Sequence, residues 1–379
     1  MVWNWQLIGT KTIYKEGGDM QDGSQYKIMF LIYSLAGGGA ERMVSRLANA
    51  YVTRGFDVTI AIMNTHDIKY VLAPEIKILN LDFNVSNRLV KTLLRIKSLR
   101  KYVKKNDIKI IYAFTVSMVL FGVFSCNAHA KVIGVERTNP KVLTKRYQLV
   151  IKYLAPKCNG YIFQTNGARM YYPKSVQEKS VVIGNVAPKV KRSDNERKPY
   201  SICTMGRLHA DKDYPTLLRA MKRVQEEVPE SHLYVYGEGE LKDRLMNVSR
   251  EIGVANSVSW MGFRENAVEE ISQYEIFAFS SKAEGMPNAL IEAMVCGLPC
   301  VSTDCEYGPA DLITDGDNGY LVPVGDEVTM AERIITLLND RNLCETFRER
   351  SIMRMQMYSE ENIVNQYINY TNKIYEEGI

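Results

Sequence analysis

The sequence predicts an α/β protein of two doubly wound, Rossmann-like halves facing each other across a cleft. Its 379 residues suffice for two domains at roughly 100–200 residues each. Short apolar runs alternate with longer amphipathic stretches, the pattern of strands and crossover helices in a parallel sheet. The alternation breaks between Gly184 and Pro199, a polar stretch with Pro188 and the charged run Lys191 to Lys198, which reads as a linker.

Residues 1–25 stand outside this pattern. They carry Trp3, Trp5 and a Gly/Asp/Ser/Gln-rich run from Gly17 to Gln25, and no basic segment leads into an apolar one. A disordered N-terminal extension is expected, not a signal peptide, with Met20 as an alternative start.

The first half, 26–185, opens on the apolar strand Tyr26–Tyr33. Gly37 to Gly39 lead into a helix over Ala40–Arg54. Strands follow at Val58–Met63 and Ile76–Leu81, a helix at Asn87–Lys105, and strands at Lys109–Phe114, Lys131–Glu136, Tyr161–Gln164 and Ser180–Ile183. Ile110 to Ala130 lacks Asp, Glu, Lys and Arg and is long enough to cross a bilayer. Its Thr115, Ser117, Ser125, Asn127 and His129 favour instead a buried strand and a buried helix from Ser117 to Asn127.

The second half, 200–360, repeats the alternation. Its strands are Ser201–Met205, His232–Tyr236, Val258–Met261, Ile276–Ser280, Pro299–Ser302 and Tyr320–Val322. Its helices are Tyr214–Val228, Glu240–Ile252, Ala289–Met294 and those from about Val328 onward, and 361–379 is expected to pack back on the first half. Ligands of such folds sit at the carboxyl ends of the strands.

Composition is that of a soluble globular protein, 46% hydrophobic and 24% charged. The formal net charge of +5 is too mild to argue for nucleic acid. Seven cysteines lack metal-ligand spacing, and Cys296, Cys300 and Cys305 have no histidine near them, so reduced thiols are expected.

Three motifs carry chemistry. Gly37-Gly38-Gly39-Ala40-Glu41-Arg42 joins a strand to a helix whose free amides suit an anion; a plain tight turn is the alternative. Met205 to Asp213 places Arg207 and Lys212 in a loop at a strand's carboxyl end, where two cations could neutralise a diphosphate or merely form surface ion pairs. Glu284-Gly285-Met286-Pro287-Asn288-Ala289-Leu290-Ile291-Glu292 sets two carboxylates eight positions apart across a strand-to-helix turn, Glu292 about two turns into the helix. One carboxylate could meet a sugar and the other ribose hydroxyls, or the pair could be a cap and an exposed helix residue.

With these motifs, Gly237-Glu238-Gly239, Gly308-Pro309-Ala310-Asp311 and Asp315-Gly316-Asp317-Asn318-Gly319, the chain from Tyr26 onward resembles the family-4 retaining glycosyltransferases of the GT-B fold. It is most similar to the bacterial enzymes that build capsule, O-antigen or N-linked glycans on polyprenyl-diphosphate carriers. The resemblance implies that 26–185 binds the acceptor and 200–360 the nucleotide sugar. It implies that Arg207 and Lys212 bind the donor diphosphate, that Glu284 lies near the donor sugar and that Glu292 holds the ribose. Gly206 would belong to the diphosphate loop, Gly262 and Phe263 would face the base, and Met286, Pro287, Asn288 and Ala289 would border sugar and phosphate. Gly38 and Gly39 would lie across the cleft.

The sequence departs from the family at Glu136-Arg137, where relatives often carry Glu-His. Arginine stays cationic and cannot titrate as a base. On the acceptor side it could hold a phosphate or hydroxyl, or Glu136 and Arg137 could pair with each other. Asp311 stands where glutamate is usual. Asp211–Asp213 and Asp315–Asp317 resemble metal-binding pairs of the other large glycosyltransferase fold, yet one flanks Lys212 and the other lies in a Gly-rich turn. No metal and no cofactor is therefore expected.

Between Arg88 and Lys105 the cations Arg88, Lys91, Arg95, Lys97, Arg100, Lys101, Lys104 and Lys105 occur with no acid, beside Leu89, Leu93, Ile96, Leu99 and Val103 at helical spacing. A basic amphipathic helix suits an anionic membrane surface, and equally a solvated face on its own sheet. The expected activity is retaining transfer from a UDP-sugar (GalNAc, Gal or Glc) to a lipid-linked or growing saccharide, at the cytoplasmic face of the membrane. A UDP-sugar epimerase of the same fold and a catalytically silent partner subunit are the alternatives.

Overall fold

In chain order the first half runs β1 (Lys27–Ile32), α1 (Gly39–Val52), β2 (Asp57–Ile62), β3 (Lys77–Asn80), α2 (Arg88–Asn106), β4 (Ile108–Phe114), α3 (Val116–Cys126), β5 (Lys131–Glu136), α4 (Lys145–Tyr153), β6 (Gly160–Phe163), α5 (Asn166–Tyr171), α6 (Lys174–Gln177) and β7 (Ser180–Val182). The second half runs β8 (Ser201–Met205), α7 (Tyr214–Glu227), β9 (His232–Tyr236), α8 (Lys242–Glu251), β10 (Val258–Gly262), α9 (Ala267–Ile271), β11 (Ile276–Phe279), α10 (Asn288–Val295), β12 (Cys300–Thr303), α11 (Pro309–Leu312), β13 (Tyr320–Val322), α12 (Glu327–Asn339), α13 (Arg341–Gln356) and α14 (Glu360–Glu376). This computed structural model describes residues 26–64, 68–126, 129–190 and 197–377. The expected extension 1–25, the end of the expected helix at Asn127 and most of the charged run after Val190 lie outside the described residues.

Both sheets are parallel throughout, ordered β3-β2-β1-β4-β5-β6-β7 and β10-β9-β8-β11-β12-β13. Helices cover both faces of each sheet, so the central strands are buried and largely apolar, whereas the edge strand β3 is mostly exposed. In β1, Ile28, Phe30 and Ile32 enter one core and Met29 and Leu31 the other, the period of two that a strand requires. The apolar run from Ile110 is β4 followed by α3, and no described helix is long and apolar enough to cross a membrane. All seven cysteines are free thiols.

Each sheet reverses its order once, between β1 and β4 and between β8 and β11. Loops on either side of such a switch point diverge and leave a crevice. The turn Gly37–Gly39 leaves β1, Thr115 leaves β4, the Gly206–Lys212 loop leaves β8 and Glu284 leaves β11.

Three expectations change. The chain from Ile183 to Ala187 is buried and not a solvated linker, because it runs straight from β7 between the two halves. The apolar stripe of α2 divides, with Leu99 and Val103 buried on the sheet while Leu89 is 77% and Leu93 66% exposed. Three of its cations are engaged at home. Lys91 pairs with Asp82 at 2.9 Å, Arg95 Nε donates to the Leu81 carbonyl at 3.1 Å, and Arg100 Nε donates to the Phe124 carbonyl at 2.6 Å. Finally, α4, α5 and α6 lie between the strands expected at Lys131–Glu136, Tyr161–Gln164 and Ser180–Ile183, where no helix is among the expected elements.

The last helix, α14, returns to the first half. Its Ile363, Val364, Tyr367 and Ile374 join the core over β1 and β4, and Tyr51, Tyr112 and Thr371 meet there hydroxyl to hydroxyl.

Candidate active site

Loops and helix starts from both halves enclose one cleft of about 430 Å³, and Gly206, Arg207, Lys212, Glu284 and Pro287 are not in its lining. Gly39, Ala40, Glu41, Arg42 and Arg46 of α1, Thr115, Arg137, Thr138 and Gln164 line it from the first half. Gly285, Met286, Asn288, Ile291 and Glu292 line it from the second.

The loops after β8, β9 and β10 are laced together by their backbones. Gly206 N–H donates to the Tyr236 carbonyl at 2.9 Å, and Gly237 N–H to the Gly262 carbonyl at 2.9 Å. Gly237, at φ 139°, allows this approach, since a Cβ there would collide with the Gly206 carbonyl. Phe263, next to this ledge, is 73% exposed. Neither Gly262 nor Phe263 lines the cleft.

Lys212 closes a short 3-10 turn, Ala210–Lys212, ahead of Asp213 in the left-handed region at φ 46°. Its ammonium donates to the Glu284 carboxylate and lies 5.6 Å from the centre of the Phe279 ring. Both side chains are largely buried, and a buried charge persists only when paired. Arg207 behaves differently, with a side chain 75% exposed and 4.0 Å from Asp211.

The turn into α10 is held from both halves. Asn185 N–H donates to Met286 Sδ at 3.1 Å, and Asn185 Nδ2 donates to Asn288 Oδ1 at 2.7 Å. From behind, Gly308 presses on Gly285 and Pro287, with no room for a Cβ. Ala289 packs on the neighbouring core instead of lining the cleft. Because the helix begins at Asn288, Glu292 enters one turn in, not two. It faces Arg42 and Arg46, and burial pushes its carboxyl up to about 7 although the two arginines pull it down.

Glu136, expected on the acceptor side, is 1% exposed and does not line the cleft. Its carboxylate accepts from Arg137 N–H at 2.9 Å, Thr138 N–H at 3.0 Å, Thr138 Oγ1 at 2.7 Å and Tyr172 OH at 2.7 Å. Burial raises its pKa despite these donors. Glu136 shapes the turn, while Arg137 enters the cleft, where its guanidinium donates to Asn185 Oδ1 beside the Tyr367 hydroxyl of α14. Gly38 lies at the turn but only Gly39 reaches the lining, and the Tyr70 hydroxyl holds the Gly38 peptide by both its N–H and its carbonyl, each at 2.9 Å.

The Asp-x-Asp pairs are committed elsewhere. Asp211 meets His209 Nδ1 at 2.5 Å, and Asp213 meets Lys282 at 3.0 Å. Asp315 accepts from Leu321 N–H at 2.9 Å, and Asp317 from Arg350 at 2.5 Å. Among the described residues no group of three His, Cys, Asp or Glu is arranged to hold a metal ion. Asp311 accepts from Asn166 N–H at 3.2 Å, part of a second seam between the halves in which Lys141 also pairs with Glu306.

Sequence reading misses Thr115, Gln164, Asn185 and Arg46. The first holds a positive φ of 73°, strained for a β-branched residue and concentrated at a functional loop. Asn185 had a legible signal, since it lies just beyond a strand's carboxyl end, three residues after Val182 of β7.

The family model described as Glycosyltransferase Family 4 matches residues 37–187, and that described as Glycosyl transferases group 1 matches residues 187–354. Two Campylobacter jejuni enzymes are similar over almost their full length. One is the N-acetylgalactosamine-N,N'-diacetylbacillosaminyl-diphospho-undecaprenol 4-alpha-N-acetylgalactosaminyltransferase, 26% identical over 365 residues, 91% of this chain and 99% of the relative. The other, named as an alpha-1,4-N-acetyl-D-galactosaminyltransferase acting on GalNAc-alpha-(1->4)-GalNAc-alpha-(1->3)-diNAcBac-PP-undecaprenol, is 24% identical over 352 residues, 90% of this chain and 97% of the relative. Among solved structures, HepE of Anabaena in complex with UDP superposes with a TM-score of 0.77 at 19% identity, covering 92% of this chain and 100% of that one. The lipopolysaccharide outer core galactosyltransferase WaaB superposes with a TM-score of 0.76 at 18% identity, covering 92% and 99%. These structural likenesses bear on the fold alone. With two Rossmann-like halves and both family models matched in order along it, the chain belongs to the family-4 glycosyltransferases of the GT-B fold.

Proposed function

We propose that this glycosyltransferase moves a sugar (GalNAc, Gal or Glc) from a UDP-sugar to a hydroxyl of a lipid-linked or growing saccharide, with retention at the anomeric carbon. The observation that carries this reading is the largely buried Lys212–Glu284 contact beside the start of α10. A cation and a carboxylate withdrawn from water at two switch-point loops can exchange partners when a donor arrives. Lys212, helped by Arg207 and the free amides of α10, takes the diphosphate and stabilises the charge that grows as the glycosidic bond breaks. Glu284 takes sugar hydroxyls, and Glu292 the ribose. The reading needs no metal, because these groups supply the positive charge. No protein carboxylate is assigned as nucleophile, so attack from the face that the phosphate leaves accounts for retention. The HepE complex with UDP supports the donor class, and the two Campylobacter names support a polyprenyl-diphosphate-linked acceptor.

The acceptor's lipid implies work at the inner membrane surface. Support comes from α2, with exposed Leu89, Leu93, Lys97, Lys101, Lys104 and Lys105, and from α4 on the other side of α3, with exposed Lys145, Arg146, Leu149, Lys152 and Tyr153.

The test is binding and hydrolysis across a panel of UDP- and GDP-sugars, with Lys212→Ala alongside. Selection of one UDP-sugar, lost in the variant, supports the transferase. Binding of no nucleotide sugar at all would return the silent partner subunit to the front, and a rearranged donor without acceptor would favour the epimerase.

A further inference from the structure

Arg42 and Arg46 lie one turn apart on α1, and both line the cleft. The same two residues, with Ser45 and Asn49 of α1, also line a groove of about 360 Å³ whose other wall is Tyr70 and Val71. Each is badly placed for stability. Arg42 sits in the first turn of α1, at the positive end of the helix dipole, and Arg46 repeats its charge at the repulsive i+4 spacing. Among the described residues the arginines that form ion pairs are Arg207, Arg219, Arg348 and Arg350, so neither Arg42 nor Arg46 has a salt-bridge partner there. Glu292 faces both across the cleft, which leaves that carboxylate as the counter-charge an arriving anion would replace.

Position separates Arg46, the farther of the two, from the glycine turn. At 1.5 Å per residue, Arg46 stands about 10 Å along α1 from Gly39. An anion held at Arg46 is therefore not one held at the amides of the turn. That spacing leaves room for saccharide between the point of transfer and a more distant charged group.

We propose that Arg42 and Arg46 form a second diphosphate site, one that takes the phosphates of the acceptor and leaves the donor's to the loop after β8. The assignment rests on the reading of the protein as a transferase with a lipid-diphosphate acceptor. Two forked guanidiniums on one helical face match two neighbouring phosphate groups, and the open groove they also line gives the rest of the acceptor a way out.

Calorimetric titration of the full chain with inorganic pyrophosphate, with and without saturating UDP, tests it. The UDP-saturated protein is expected to bind one further pyrophosphate. Arg42→Gln with Arg46→Gln should weaken that second event at least about tenfold and lower UDP affinity far less, since the two arginines bear on the donor only through Glu292. Arg42→Lys with Arg46→Lys keeps both charges and should retain most of it, which guards against a merely misfolded glutamine variant. Exclusion of pyrophosphate by UDP overturns the proposal and assigns the only diphosphate site to the donor. Unchanged pyrophosphate binding in the glutamine variant overturns it, as does a parallel loss of UDP. If wild-type protein binds no UDP, the donor reading fails by itself, and the pyrophosphate titration still decides whether the two arginines hold an anion.

Discussion

The Lys212 ammonium donates to the Glu284 carboxylate, tying the loop after β8 to the loop after β11 with both side chains largely out of water. Removing one partner strands the other. Lys212→Ala should therefore lower stability by about 2 kcal/mol, and turnover on the order of 10²-fold. Lys212→Met combined with Glu284→Gln should recover most of the stability and none of the turnover. Denaturant titration and donor turnover on the three variants separate the two effects.

Glu292 makes a pH-dependent contribution. Its carboxyl stands at about 7 in the folded chain against an ordinary 4.5, so folding favours the protonated form. The associated stability is present in full below about 4.5 and is lost as the pH rises through about 7. Glu292→Gln, which cannot ionise, should melt above wild type at about pH 8, with the difference vanishing toward about pH 4. The same variant should bind UDP more weakly at the higher pH. Melting curves across that range check the sign, and an unchanged gap at every pH would contradict it.

Asn185 joins Arg137 of one half to Met286 and Asn288 of the other. Asn185→Ala leaves the Arg137 guanidinium without that acceptor and frees the start of α10. Turnover should fall about tenfold with a smaller change in UDP affinity, since the groups assigned to the diphosphate are untouched. Steady-state kinetics against UDP titration will show whether the loss lies in kcat.

Membrane capture should depend on the solvent-facing cations of α2. Each cation near an anionic surface contributes about 1 kcal/mol, so reversing Lys101, Lys104 and Lys105 to glutamate should lower binding to phosphatidylglycerol vesicles on the order of 10²-fold or more. Vesicle sedimentation measures this, and undiminished binding would remove α2 from the membrane surface. Reversing Lys91 is a poor substitute, because it would break the pair with Asp82.

The sheets were legible because most of their strands are buried on both faces. The runs at Lys131–Glu136, Ser201–Met205, His232–Tyr236 and Tyr320–Val322 coincide with the observed strands to the residue. In contrast, α4 was hidden, because exposed Tyr147, Leu149 and Tyr153 blur its apolar stripe. Contiguous motifs pointed to Lys212, Glu284 and Glu292. They could not show that Glu136 turns inward, because its partner Tyr172 lies on a later element. Nor could they set Tyr367 beside Arg137, a neighbour supplied by the far end of the chain.

That far end carries a consequence for biosynthesis. The core over β1 and β4 is finished by Ile363, Val364, Tyr367 and Ile374 of α14. During translation the first half therefore emerges before the second and waits, one apolar flank uncovered, until α14 has been made. The half made first is the half completed last. A chain broken off before α14 would retain both sheets and still expose the surface that draws chaperones and proteases.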